Sequence, residues 1–165
     1  MVINGIPRQI KFQNEPDFTK RAGVFLSVLI NLGRDNNYIV NTLNWNDCPD
    51  FLGMLNAKNI IVKGDVGEYL GKSMRKGHIR VEGNALDFVG LHMRGGSISI
   101  EGGVNDLAGS DMKGGTIEIR GNAGGAVGHC MGGGQIHLEG DYDTLNVNFV
   151  YSGKIYHKGK LIVDK

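Results

Sequence analysis

Cysteine is scarce in this chain: Cys48 and Cys130 are the only two in 165 residues, with no metal-type spacing between them. That argues against a disulfide scaffold and for a reducing compartment. An excess of charge of one sign is also missing. Lys and Arg number 18 against 17 Asp and Glu, a formal net charge of +1. Such a balance makes no electrostatic case for nucleic acid or for an anionic membrane as partner. Long hydrophobic runs are absent too. The longest apolar stretch, Val24–Ile30, is far too short to span a bilayer. The opening Met1-Val2-Ile3-Asn4-Gly5-Ile6-Pro7 lacks the apolar region of a signal peptide, so a cytoplasmic location is expected.

Glycine is what the chain has in quantity, at 27 residues, and it is periodic without any collagen triplet. Four segments share a 19-residue period: Gly64–Glu82, Gly83–Glu101, Gly102–Arg120 and Gly121–Glu139. Gly recurs at the first, eighth and fourteenth places, as in Gly83, Gly90 and Gly96. Met holds the eleventh as Met74, Met93, Met112 and Met131. An apolar pair closes each unit: Ile79/Val81, Ile98/Ile100, Ile117/Ile119 and Ile136/Leu138. A unit this short cannot bury its apolar face alone, so it must stack on its neighbours.

The closing alternation, as in Ser97-Ile98-Ser99-Ile100, is that of a strand with one buried face. Glycines every few residues disfavour helix and permit tight corners. The pattern predicts an all-β parallel β-helix, with equivalent residues of successive coils stacked about 4.8 Å apart. Five columns should point inward: Val66/Ala85/Val104/Ala123, Leu70/Val89/Ala108/Val127, the four Met residues and the two closing columns. None of them holds a charge. Burying each larger side chain contributes roughly 1.5–3 kcal/mol against the entropy of ordering the chain. Four thioethers in an inward column read as core rather than as a soft-metal site.

Degenerate units extend the ladder. Upstream, Ile60, Val62 and Gly64 match the pattern, with Leu55 in the Met position. Downstream, Gly153, Ile155 and Gly159 match, with Val147 and Val150 replacing Gly128 and Met131. About six coils are expected over Trp45–Gly159, within a β-helix domain of residues 45–165. Residues 1–44 fall outside the repeat. Phe18, Ala22, Phe25, Leu29 and Leu32 recur at helical spacing, with Asp17 placed to cap the start and Gly33 to end the run. An amphipathic helix over Phe18–Leu32 is therefore expected, laid across an open end of the stack where strand edges would otherwise be free. It could also dock a partner.

The motif Gly71-x-x-Met74-x-x-Gly77-x-Ile79-x-Val81-x-Gly83, repeated through Gly140, resembles the GXGXG repeat. That repeat characterises the β-helical subunit of formylmethanofuran dehydrogenase and the C-terminal domain of the large glutamate synthase subunit. The likeness covers about residues 60–160 and includes the closing Gly153-Lys154-Ile155-Tyr156 and Gly159-Lys160. It implies a right-handed parallel β-helix that is not itself an enzyme, carries no catalytic residues and binds no cofactor or metal. By the same resemblance, its partner would be a larger catalytic subunit of an oxidoreductase or formyl-transfer complex.

Stacking turns sequence columns into surface ladders. Ser73, His92, Asp111 and Cys130 form one such column, just before the Met residues. These are the residue types of nucleophilic triads and of metal sites, so a small hydrolase or metal-binding protein is the alternative reading. A rung spacing near 4.8 Å exceeds the roughly 2.6–3.2 Å of a hydrogen-bonded nucleophile and base. Arg75, Arg94 and Lys113 make a basic ladder that could take a carboxylate or a phosphate at an interface or, more simply, pair with the acidic column Glu68, Asp87 and Asp106. On the outward strand face, Glu101 should attract Arg120. Three other signals fail. Gly121–Gly128 lacks the lysine and the helix of a phosphate loop. The period does not fit a calcium nonapeptide. His78, His129, His137 and His157 sit in different columns. Exposed strand edges leave homo-oligomerisation as a further expectation.

Overall fold

In the computed structural model, residues 2–3, 6–7, 18–45 and 47–165 are described. Asp17, the expected helix cap, lies outside them. The chain builds a parallel β-solenoid of about six turns with one N-terminal helix. Two short strands, β1 (Val2–Ile3) and β2 (Ile6–Pro7), pair antiparallel. They precede α1 (Phe18–Leu32), which has the bounds read from the sequence. Seven parallel strands then form one continuous ladder: β3 (Asn37–Asn41), β4 (Asn59–Lys63), β5 (His78–Val81), β6 (Ser97–Ile100), β7 (Thr116–Ile119), β8 (Gly132–Leu138) and β9 (Ser152–His157). The last strand, β10 (Lys160–Asp164), turns back antiparallel on β9. The sheet thus begins one rung before the Trp45 expected from the repeat, because Asn37–Asn41 pairs in register with β4.

Register follows the period. Ile79 lies beside Ile98, Ile98 beside Ile117, and Ile117 beside Ile136. All five predicted inward columns are buried, and each Met of the column is fully so. The spacing of Met and Gly has a steric cause. A Cβ at Gly115 would meet the Met93 methyl at 2.7 Å, and one at Gly134 would meet the Met112 methyl at 2.6 Å. Each Met therefore fills the space that the glycine of the next coil leaves open.

The first coil departs from the sequence reading. Asn56, not Leu55, occupies the Met position. Asn56 is buried, and its carbonyl accepts the Arg75 N–H as that of Met74 accepts the Arg94 N–H. The coil runs one residue short here, which places Leu55 on the exposed corner equivalent to Ser73. The Asn56 amide is satisfied locally: it donates to the Lys58 carbonyl at 2.7 Å and accepts the Lys58 N–H at 3.1 Å.

Helix α1 lies against this coil, and it does more than shield it. In the later coils the donors equivalent to Gly53 and Ala57 meet a carbonyl one turn below, as Gly71 N–H meets Leu52 and Arg94 N–H meets Met74. The first coil has no turn below it. Ser27 Oγ accepts the Gly53 N–H at 2.8 Å, Asn31 Oδ1 accepts the Ala57 N–H at 3.3 Å, and Asn31 Nδ2 donates to the Met54 carbonyl at 3.2 Å. Two side chains one helical turn apart thereby replace a missing coil. The buried face of α1 is Ala22, Leu26 and Ile30, together with Gly23 and Ser27. Phe25, Leu29 and Leu32, expected on the buried side with Ala22, point outward with Val28 instead. Apolar residues thus lie on both sides of the helix, with Arg21 exposed near its start.

Candidate functional site

The column Ser73, His92, Asp111 and Cys130 sits at a left-handed corner, with φ between 53° and 56° at every member. His and Asp are several-fold enriched among non-glycine residues in that conformation, which gives backbone geometry a direct hand in the composition of the column. His92 Nε2 and Asp111 Oδ2 stand 3.9 Å apart, both side chains well exposed. Ser110 Oγ, buried one residue earlier, donates to Asp111 Oδ2 at 3.3 Å. Ser73 makes no side-chain hydrogen bond to His92 among the described residues. The structure thus brings one pair of the four together, at a separation too long for proton transfer. Among the described residues no three His, Cys, Asp or Glu side chains converge as a metal site would require. Cys48 lies apart from this column. Its thiol is pushed up, first by burial and then by Asp65, Asp50 and Asp47, so it favours the neutral form.

A second left-handed corner carries an aromatic stack that the sequence reading missed. Phe51, Tyr69 and Phe88 lie face to face, with ring centroids 4.5 and 4.9 Å apart and planes within 11°. Lys72 Nζ sits 5.2 Å from the Tyr69 centroid and 5.4 Å from that of Phe51. The signal was available: Tyr69, Phe88 and Leu107 are one period apart, two places before the eighth-position glycines.

The basic ladder is exposed as expected, but its expected partners are not its partners. Asp87 Oδ1 accepts the Asp106 N–H at 3.0 Å, and Asp106 Oδ1 accepts the Gly125 N–H at 2.7 Å. Asp50 does the same for Glu68 at 2.8 Å. These carboxylates cap backbone donors of the next coil, because those lie nearer than any cation of the ladder. A parallel series at another corner uses Asp65, Asn84 and Asn122 on the N–H groups of Asn84, Gly103 and Asp141. Arg75, Arg94 and Lys113 consequently enter no ion pair among the described residues. The strand face differs: Arg80 and Arg120 both bind Glu101, at 3.1 and 2.6 Å, and Arg120 also binds Glu118. The two carboxylates hold the Arg120 guanidinium above its ordinary range.

Two surfaces stand out as a result, the outward apolar face of α1 and the uncompensated basic ladder. Among the described residues no helix is long and apolar enough to cross a membrane. No protein-family model matches this chain, and no curated protein matches it either.

Proposed function

We propose that this chain is a non-catalytic assembly module of a cytoplasmic multi-subunit oxidoreductase or formyl-transfer complex. In that role it holds a larger catalytic subunit through α1 and the outer strand faces, as the likeness of its repeat to the GXGXG β-helices implies. The observation that carries the reading is the solvent-facing stripe on α1. Phe25, Val28, Leu29 and Leu32 follow one another at helical spacing and are between 36% and 79% exposed. An exposed apolar stripe beside an already buried one is a common mark of an interaction site. The opposite face is already used on the first coil, and among the described residues the stripe stays exposed.

The test is purification of the tagged chain from its native host under gentle conditions. A larger catalytic subunit should accompany it in stoichiometric amount. Repeated recovery as a lone monomer would overturn the reading.

A further inference from the structure

We propose that the ladder Arg75, Arg94 and Lys113 binds an acidic peptide segment of the partner subunit, a role that rests on the assembly reading above. Three cations stand on successive rungs, and like charges placed directly opposite are destabilising in a sheet. On the strand face that cost is offset by pairing, with Glu101 bonded to both Arg80 and Arg120. On the ladder it is not, because Asp87 and Asp106 spend their carboxylates on backbone N–H groups. What remains is a line of exposed positive charge whose complement is a line of carboxylates.

The surface beside the ladder suits an extended chain. Gly95 and Gly114, next to Arg94 and Lys113, continue through Gly133 as a strip without side chains, and on the Arg75 rung exposed Lys76 stands at the strip's end as a further cation. A Cβ at each glycine would meet the carbonyl oxygen of Arg75, Arg94 or Lys113 at 2.6–2.8 Å. The Lys113 side chain itself reaches across the next rung, where a Cβ on Gly132 would lie 3.1 Å from Lys113 Nζ. Beyond the strip stand Ser97, Thr116 and Gln135, in register with His78. A peptide lying on the strip would thus have cations on one side and hydroxyl and amide groups on the other. Alternate side chains of an extended peptide are about 6.6 Å apart, and three rungs span about 10 Å, so two carboxylates fall within reach of the three cations. The planar forks of Arg75 and Arg94 can each take a carboxylate through two parallel bonds.

A nucleic-acid strand fits this surface less well. Three cations release few counterions, whereas tight phosphate binding draws on many. Phe51, Tyr69 and Phe88 turn their faces to one another rather than offering them to bases.

The measurement is fluorescence anisotropy with a labelled peptide of alternating glutamate and glycine. It is made on the full chain, on Arg75→Glu/Arg94→Glu/Lys113→Glu, and on the charge-matched Arg34→Glu/Lys63→Glu/Lys160→Glu. Both triple variants should melt with the wild type, since every substituted position is exposed. Wild type should bind, the ladder variant about tenfold more weakly, and the control within about twofold. Absence of wild-type binding, equal loss in both variants, or tighter binding of oligo-dT or inorganic phosphate at the same ionic strength would each overturn the proposal. Because α1 is intact in both variants, the peptide result is read separately from recovery of the larger subunit.

Discussion

Gly90 and His92 both hold positive φ, at 69° and 56°, yet they answer to different constraints. A Cβ at Gly90 would sit 2.5 Å from Ile117 Cδ1, in the core. The same relation recurs at Gly71 with Ile98 and at Gly109 with Ile136, so the eighth-position glycine is a socket for the isoleucine of the next coil. Gly90→Ala should therefore cost about 2–4 kcal/mol, combining left-handed strain with a displaced Ile117. His92 is exposed, and its left-handed strain is similar in size to the backbone entropy that glycine would add. His92→Gly should stay within about 1 kcal/mol of wild type. Urea midpoints of the two variants decide the matter, and equal losses would show that the corner itself relies on the imidazole. The glycine columns were plain in the sequence. The left-handed state of Tyr69, Phe88 and Ser73 was not, because none of those residue types favours it as glycine does.

At the scale of elements, α1 divides into a folding face and a free face. Leu26 packs on the first coil, while Phe25, one residue earlier, is more than half exposed. Leu26→Asp should destabilise the chain by about 2–5 kcal/mol or more, through lost packing and a buried charge. Phe25→Asp should leave the thermal midpoint nearly unchanged while abolishing recovery of the larger subunit. Circular-dichroism melts and the purification described above separate the two effects; comparable destabilisation by both would mean that the outward stripe is structural. Helical spacing correctly bounded the element at Phe18–Leu32, but it could not choose between two apolar faces. The polar pair Ser27 and Asn31 was the available clue, since two hydrogen-bonding side chains one turn apart mark the side that meets exposed backbone. At the other end, β10 closes the sheet with Lys160, Asp164 and a bulge between Leu161 and Val163, all features that discourage pairing with another edge.

The whole molecule is a line of coils in which each coil touches chiefly the ones above and below it. Stability should then decay toward the ends. Amide exchange ought to be slowest in β5, β6 and β7 and faster in β3 and β10, as read by mass spectrometry of peptic fragments; uniform protection from β3 to β10 would contradict it. The sequence by itself determined the period, the strands and inward columns of the repeated coils, and the bounds of α1. The period, strands and columns are set by contacts that recur between neighbouring coils, and a recurring contact leaves a recurring residue, whereas the bounds of α1 follow from helical apolar spacing. Only the tertiary structure decided that Asn56 rather than Leu55 takes the Met position, that α1 turns Phe25 and Leu32 to solvent, and that Asp87 and Asp106 serve the backbone instead of the basic ladder. Those outcomes arise where the stack ends or where a polar side chain chooses among partners, and there distance in space decides, which the linear order of residues does not record.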